Sequence, residues 1–279
     1  MSVRIITDST ADIRPSLKEQ IPFVSLTIRF GEEEFIDSVT MSRKEFYEHL
    51  QVCKELPATS QPSPDLFARA YEEALAAGDE VVVITISSKL SGTYQSANIA
   101  AMDYDEGVYV IDSENACIGA GVLAEYAKQL ADSGMKAADI AEKLNTEKKN
   151  LRLFATLDTL EYLVRGGRLS KVAGIAGGLL NIKPVITLKD GAIEVVGKAR
   201  GTKQGNTMMV KEIEKSGGID FTKPVLTGFT GLTDDLLQKF VEESAEKIGA
   251  DAALDRTIIS GAIGTHVGPG AYAIAYFKK

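Results

Sequence analysis

The sequence predicts an α/β protein of two domains, the first built on a parallel sheet and the second on a mixed or antiparallel sheet. Its 279 residues suffice for one large or two ordinary domains. In the first half, apolar strand-like segments alternate with amphipathic segments, which is typical of a parallel sheet with crossover helices. In the second half, Asp190-Gly191 between two apolar segments indicates an antiparallel hairpin. We expect domains at residues 1–156 and 157–279.

The central feature of the first half is the segment 80–86, whose β-branched residues do not alternate with polar ones. This pattern is expected of a strand covered on both faces. The helix before it has a clear start, because Ser63 can cap the free amides and Pro64 suits the first turn. The other elements predicted for this half are strands at 3–7, 21–30 and 108–111 and helices at 42–54, 91–102, 117–133 and 137–150.

The second half is richer in glycine. The small-residue run at 172–180 either forms a tightly packed helix or leaves room for a long hydrocarbon. Segment 264–270 is predicted to be a glycine-rich turn that carries His266. The remaining predicted elements are hairpin strands at 183–188 and 193–199, further strands at 224–229, 256–262 and 271–277, and helices at 202–216 and 233–248.

The composition narrows the classes of partner. Lys and Arg number 31 and Asp and Glu 39, so the net charge of −8 disfavours nonspecific binding of nucleic acid. No signal peptide is recognisable, and no run approaches the roughly 20 apolar residues of a membrane span, so we expect a cytoplasmic protein without stable membrane insertion. Cys53 and Cys117 fit no C-x-x-C pattern, so the sequence indicates neither a disulfide framework nor a cysteine zinc site, and we expect no bound metal.

Hydroxyl-rich turns follow several predicted strands of the first half, at residues 7–10, 87–93 and 112–113. In an open parallel sheet such turns gather at the carboxyl edge, where ligands usually bind. Segment 59–64 joins them from a loop that opens a helix. Hydroxyls and free helical amides bind a carboxylate or phosphate without needing Lys or Arg. Helix capping explains any one of these turns alone, but the cluster favours an anion site.

Three titratable residues have either a functional or a structural interpretation. Asp8 and Asp112, at predicted strand ends, are either metal ligands or an acid/base pair, or they bond nearby turn amides. His266 either donates to a ligand carboxylate or is a buried histidine that bonds a backbone carbonyl. The sequence contains no motif of a nucleotide cradle or a nucleophile elbow.

Six short motifs occur in order along the whole chain, and together they resemble the DegV family of bacterial fatty-acid-binding proteins. They are Thr7-Asp8-Ser9, Thr59-Ser60-Gln61-Pro62-Ser63, Leu90-Ser91-Gly92-Thr93-Tyr94, Leu160-Glu161-Tyr162-Leu163 with Arg165-Gly166-Gly167-Arg168, Lys183-Pro184, and Gly264-Thr265-His266-Val267-Gly268-Pro269-Gly270.

The resemblance implies a two-domain α/β protein that holds one long-chain fatty acid, such as palmitate, stearate or oleate, in a tunnel. It implies no cofactor and no catalytic residue, because related proteins carry the lipid to a separate fatty acid kinase, which phosphorylates the carboxylate and feeds phospholipid synthesis. Arg168 and Arg200 match as candidates for contact with the kinase. By matching motif, the residues expected to bind the carboxylate are Thr59, Ser60, Ser91, Gly92, Thr93 and His266.

Two other functions compete with the carrier. One is an enzyme that acts on a small anionic substrate at the same turns, with Asp8, Asp112 or His266 as acid or base. The other is a regulatory or scaffold protein whose lipid only stabilises the fold. The missing nucleotide and nucleophile motifs count against the enzyme, and the resemblance along the whole chain favours the carrier.

Overall fold

Three sheets organise the chain in the computed structural model, which describes residues 2–170, 182–250 and 254–279. The small-residue run at 172–180 lies outside the described residues. The strands are β1 (Val3–Asp8), β2 (Phe23–Val24), β3 (Thr27–Phe30), β4 (Glu33–Ile36), β5 (Ala58–Ser60), β6 (Glu80–Thr85), β7 (Val108–Asp112), β8 (Leu151–Thr156), β9 (Ile182–Lys189), β10 (Ala192–Arg200), β11 (Val225–Phe229), β12 (Arg256–Ile258) and β13 (Tyr272–Phe277). The α-helices are α1 (Arg43–Val52), α2 (Pro64–Ala76), α3 (Thr93–Ala101), α4 (Cys117–Asp132), α5 (Ala137–Glu147), α6 (Glu161–Arg165), α7 (Thr202–Lys215), α8 (Asp235–Ile248) and α9 (Gly261–Val267).

The first sheet is parallel and has the strand order β2-β1-β6-β7. Its interior strand β6 is buried on both faces, as its sequence predicts. Val81 and Val83 face one layer of helices, where they pack with Phe67 and other residues of α2 and α3. Val82 and Ile84 point to the opposite face and join the core formed with α4. Alternation along a strand between two covered faces explains why the run from Val81 to Ile84 is apolar at every position.

The second sheet is mixed, with the order β10-β9-β8-β13-β11-β12. β11 and β12 are parallel, and the neighbours from β10 to β11 pair antiparallel. The predicted hairpin is present: Asp190 and Gly191 have φ values of 50° and 80°, as a two-residue turn of the favoured hairpin type requires. Helices α7 and α8 cover one face of this sheet.

Helix α4 lies between the first and second sheets and packs against β1 and β6 on one side and β8, β11 and β13 on the other. Its small residues let it approach both sheets, and it is buried almost throughout. Because β8 pairs with β9 and β13, a division that follows the sheets lies before Leu151. The domain limits 1–156 and 157–279 stay a prediction.

A third sheet, of order β4-β3-β5, packs with α1 and α9. Its strands β4 and β5 were not predicted, and β5 occupies the start of the expected loop at 59–64. The strand expected over 256–262 ends at Ile258, and the expected turn at 264–270 begins within α9. Two glycines of α9 allow this helix to pack tightly against α1, which a sequence pattern does not reveal.

The start of α2 also differs in detail. Ser63 occupies the N-cap position, but its side chain makes no capping hydrogen bond to the residues that the structure describes, so the predicted side-chain cap is wrong. Pro64 begins the helix as predicted. Asp65 lies in the first turn, where its negative charge interacts favourably with the helix dipole. Among the helices described, none is long and apolar enough to cross a bilayer.

Candidate functional site

An apolar cavity lies where the three sheets meet. The empty space between its walls is about 800 Å³ when the part open to solvent is included. The second sheet contributes Ala155, Ile186 and Ala273, and the start of α4 contributes Ala116 and Cys117. Burial raises the pKa of the Cys117 thiol to about 12, so it remains a neutral part of this wall. We call this space the acyl cavity, after the acyl chain that the sequence resemblance leads us to expect in such a tunnel.

Hydroxyls and an imidazole meet at the polar end of the acyl cavity. Thr59 Oγ1 lies 2.9 Å from His266 Nε2. Ser91 Oγ lies 2.9 Å from Thr93 Oγ1 and accepts a hydrogen bond of 3.3 Å from the Thr93 backbone N–H. Thr59, Ser91 and His266 line the cavity, and Thr93 is buried behind Ser91. These four residues form the head-group cluster.

The pleat of β5 separates Thr59 from its neighbour Ser60. Thr59 pairs with Ile28 of β3 and turns toward the cavity, whereas Ser60 is exposed. Gly92 has a packing role, since a Cβ there would lie 2.0 Å from Oε1 of Gln61. The absence of a side chain at Gly92 therefore lets the segment after β5 close against the start of α3.

His266 is a neutral imidazole in this setting. Burial, together with the nearby positive charge of Arg168, lowers its pKa from 6.5 to about 4. Its Nδ1 is buried and has no hydrogen-bond partner among the described side chains and backbone. Gly166 leaves room for the ring, because a Cβ there would lie 2.4 Å from Nδ1. The imidazole therefore lies against Gly166 at Nδ1 and reaches Thr59 with Nε2, while the residue lines the cavity.

Arg168 lies at the mouth of the acyl cavity and also borders an outer groove with Lys54, Tyr162 and Arg165. Its Nε donates to the Leu90 carbonyl at 3.1 Å and its Nη1 to the Gly166 carbonyl at 2.6 Å. No carboxylate pairs with it in the described part of the chain. A guanidinium held by carbonyls keeps its charge available to an anion.

Arg200 lies elsewhere, exposed at the end of β10, where its backbone N–H donates to Gln204 Oε1 at 2.5 Å. The structure therefore brings Arg168 to the head-group cluster and leaves Arg200 on the surface.

Asp8 and Asp112, which the sequence offered as acids or metal ligands, accept hydrogen bonds from nearby backbone N–H groups. Asp8 is fully buried, accepts hydrogen bonds from the backbone N–H groups of Thr10 and Ile86, and has a pKa raised by burial. Asp112 accepts from the backbone N–H groups of Ser88 and Glu114. Residues 2–170, 182–250 and 254–279 contain no cluster of three or more His, Cys, Asp or Glu able to hold a metal.

Sequence reasoning missed most of the apolar wall. Ala273 pairs directly with Ala155 across β13 and β8, which leaves open space on one face of the sheet. A signal for this wall exists in β13, where small residues alternate with large ones in Ala271-Tyr272-Ala273-Ile274-Ala275. With a period of two, all three alanines face the same side.

Comparison with known proteins identifies the family. The family model described as "Uncharacterised protein, DegV family" matches residues 2–279. The chain belongs to the DegV family. It is 35% identical over 283 residues to a DegV domain-containing protein of Caldanaerobacter subterraneus subsp. tengcongensis, with 99% of each chain covered. The expected resemblance to DegV proteins and the α/β fold class are thereby confirmed.

Solved DegV structures share the whole fold. A DegV family protein of Thermus thermophilus, described by its fatty acid binding, is 32% identical with a TM-score of 0.89 over 99% of this chain and 100% of that one. The Fatty Acid Kinase (Fak) B3 protein of Streptococcus pneumoniae, loaded with linoleic acid, is 27% identical with a TM-score of 0.85 over 100% of both chains.

We predict that His266 of the ligand-free DegV protein titrates near pH 4, because burial and Arg168 oppose its protonation. The two histidines make the measurement direct, by the NMR shift of the imidazole Cε1 proton. Arg168→Gln removes the adjacent charge and is expected to raise the midpoint. Because the folded pKa lies below the unfolded value of 6.5, this histidine is expected to reduce stability as the pH falls from 6.5 toward 4.

Arg165→Gln is the matched control for that prediction, since Arg165 is exposed and pairs with Glu161. Its midpoint for His266 should equal that of the wild type. A wild-type titration with the full shift change of imidazole protonation and a midpoint at the ordinary value of 6.5 would contradict the neutral imidazole.

Proposed function

We propose that this DegV protein holds one long-chain fatty acid in the acyl cavity and presents its carboxyl group to a separate fatty acid kinase. The observation that carries the proposal is an apolar cavity that ends at the head-group cluster and at Arg168. The comparison with DegV proteins that bind fatty acids supports it. The ligand's chemistry matches this division into an apolar tail and one anionic group.

The tail supplies most of the affinity in this proposal. Burying each methylene is worth about 0.8 kcal/mol, so a 16-carbon chain offers roughly 12 kcal/mol before the costs of ordering and association. The cavity walls supply the partners for such burial through Leu26, Leu153, Leu188 and Ile193. Polar contacts then have to orient the head group rather than provide the bulk of the binding energy.

The head group is bound by Thr59, Ser91, Thr93 and His266 in this proposal. Ser91 and Thr59 present hydroxyls to the cavity, and Thr93 and His266 hold those hydroxyls in place at 2.9 Å. Gly92 belongs to one of these motifs and packs closely against Gln61, whereas Ser60 is exposed and takes no part in the cluster in this proposal.

The carrier does not perform the chemical step in this proposal. In the kinase reaction a carboxylate oxygen attacks the γ-phosphorus of ATP, ADP leaves, and an acyl phosphate remains on the carrier. Arg168 lies where it can balance the added negative charge, at the junction of the acyl cavity and the outer groove. Arg200 is proposed as a surface contact for the kinase.

We predict that the protein carries fatty acid when purified from a bacterial host. Native mass spectrometry should show one adduct per chain, and solvent extraction should release one or a few fatty acids of long chain. A ligand-free mass together with no uptake of added oleic acid would contradict the carrier function. That result would favour the alternative function, an enzyme that acts on a small anionic substrate.

We predict that the double variant Ser91→Ala, Thr59→Ala binds oleic acid at least about 100-fold more weakly, since it removes two hydrogen bonds and those to a charged group are worth roughly 1.5–3 kcal/mol each. Calorimetric titration of delipidated protein measures this loss. Ser60→Ala is the matched control, because Ser60 lies on the exposed face of the same strand as Thr59. Equal affinity of the double variant and the wild type would reject these head-group residues.

We predict that Arg200→Ala keeps the wild-type affinity for oleic acid but loses acyl-phosphate formation with a bacterial fatty acid kinase and ATP. The reason is that Arg200 is exposed at the end of β10 and does not line the part of the acyl cavity that the structure describes. The comparison variant is Arg29→Ala, which removes an exposed arginine from β3. Undiminished phosphorylation of the Arg200 variant would remove this residue from the kinase contact.

A further inference from the structure

Helix α9 joins the head-group cluster to a pair of buried carboxylates. At its N-terminal end, Asp12 Oδ1 accepts from the Ser260 backbone N–H at 2.9 Å, and Asp37 Oδ1 accepts from the Gly261 backbone N–H at 3.2 Å. Asp12 is 0% and Asp37 1% exposed. His266 lies near the other end of the same helix. The two aspartates come from distant parts of the chain, so tertiary structure supplies the restraint on this helix end.

Arg43 connects the two carboxylates to the end of β12. Its Nη2 lies 3.0 Å from Asp12 Oδ1, and its Nη1 donates to Thr257 Oγ1 at 3.3 Å and to the Ile258 carbonyl. We call Asp12, Asp37 and Arg43 the carboxylate cluster. Because a buried ion pair needs further hydrogen bonds to offset its desolvation, the backbone donors of α9 are part of what stabilises the cluster.

The packing of α9 leaves it little freedom to absorb a displacement. A Cβ at Gly264 would lie 2.6 Å from Phe46 Cε1 and 2.8 Å from the Tyr47 hydroxyl oxygen, so the helix backbone rests on α1. The Tyr47 hydroxyl donates to the Ile259 carbonyl at 3.0 Å, just before the helix. A seven-residue helix spans only about 10 Å at 1.5 Å per residue, so a shift at its first turn also moves His266.

We propose that the carboxylate cluster positions His266 through α9, so that ionised Asp12 and Asp37 hold the imidazole where it binds the fatty-acid head group and their protonation releases it. Asp12, Asp37 and Arg43 are positioning residues in this sense, since they act through the helix. The binding arm of the inference rests on the proposed fatty-acid function, and the effect on His266 does not.

The physical basis is the difference between charged and neutral acceptors. A carboxylate accepts a backbone hydrogen bond more strongly than a neutral carboxyl does. Its negative charge also interacts favourably with the positive, N-terminal end of the helix dipole. Asp12 Oδ2 has no hydrogen-bond partner in the described ranges, which leaves an oxygen able to take up a proton. A cleft lined by Ser9, Lys18, Ser42 and Arg43 opens beside the cluster.

The pKa values of the two carboxylates lie between that of His266 and those of Tyr47 and Cys117. Burial raises the pKa of Asp12 to about 7 and that of Asp37 to about 6, while the pKa of His266 is lowered to about 4. Burial also raises the pKa values of Tyr47 and Cys117, which therefore stay neutral. Several groups from other elements face the two carboxylates. They are Ser9 from the turn after β1, Lys18 between β1 and β2, Ser38 after β4, Arg43 and Tyr47 from α1, Cys117 from α4, and Thr257 and Ser260 around the end of β12.

We predict that the Cε1 proton of His266 reports this titration in the ligand-free protein. Between about pH 5.5 and about pH 8 its NMR shift should show an inflection from the carboxylate cluster although the imidazole itself stays neutral. The double variant Asp12→Asn, Asp37→Asn should lack the inflection. His49→Gln assigns the two histidine signals. A flat wild-type profile, or an unchanged inflection in the double variant, would overturn the proposal.

The affinity for oleic acid provides the second readout. We expect the double variant to bind about fivefold more weakly than the wild type at pH 8, and equally well at pH 5.5, because charge strengthens the hydrogen bonds to α9. The titration of the ligand itself cancels in the ratio of the two dissociation constants. A ratio that does not change with pH would count against the cluster.

Stability controls separate positioning from folding. Both pKa values are raised above the value of 3.8, so ionisation of these carboxylates opposes folding as the pH rises toward 8, whereas replacing them leaves Arg43 without its carboxylate partner. The melting temperature of the double variant at pH 8 is therefore measured beside its affinity. Weaker binding there, without a lower melting temperature, is therefore not an effect of unfolding. The matched control is Glu125→Gln, because Glu125 is a buried acid of α4 that pairs with Arg14. This variant should leave the His266 profile unchanged.

These experiments separate failure of the proposed carrier function from failure of the inference about the carboxylate cluster. If the wild type binds no oleic acid, the proposed function fails, but the ligand-free NMR titration still decides whether the carboxylate cluster moves His266. If the double variant does not fold, Asp37→Asn alone should reduce the amplitude of the wild-type inflection. An amplitude equal to that of the wild type would then reject the inference.

Discussion

The close packing of α9 on α1 is the constraint on which the head-group cluster depends. A Cβ at Gly261 would lie 2.6 Å from Ile28 Cδ1, and one at Gly264 would lie 2.6 Å from Phe46 Cε1. Larger residues would push the helix away from α1 and from the third sheet. Only at the observed separation does His266 reach within 2.9 Å of Thr59, a residue of that sheet. Glycine is needed here for close approach rather than for an unusual backbone angle.

The acyl cavity depends in turn on α4, the helix that the first two sheets share. Because α4 packs against both, its first residues, Ala116 and Cys117, face a space whose opposite wall belongs to the second sheet. A Cβ at Gly121 would lie 2.1 Å from the Asp12 carbonyl oxygen, so the same helix also approaches the segment that carries Asp12. A ligand in the cavity would contact both halves of the chain, and its binding would stabilise their junction.

The parts of the fold that sequence patterns predict are those with local causes. The β-branched run of β6 and the Asp190-Gly191 turn carry their own signals, and the structure confirms both. Strand β8 has no such signal, because its partners β9 and β13 stand far away in the chain and pairing decides its conformation. Helix α9 is similar: its glycines disfavour a helix locally, and contacts from α1 and from two remote aspartates override that preference.

The composition of the head-group cluster was predictable, but its geometry was not. Hydroxyls after strands indicated an anion site, and motifs named the residues, yet neighbouring positions in β5 differ by the pleat: Thr59 faces the cavity and Ser60 faces solvent. That choice is made by the register of β5 on β3, which pairs Thr59 with Ile28. Thr59 and His266 are 207 residues apart, and no local pattern relates them. A site assembled from such distant segments holds its geometry only while the packing between those segments persists, so its binding properties should respond to changes in the core as strongly as to changes in the cluster itself.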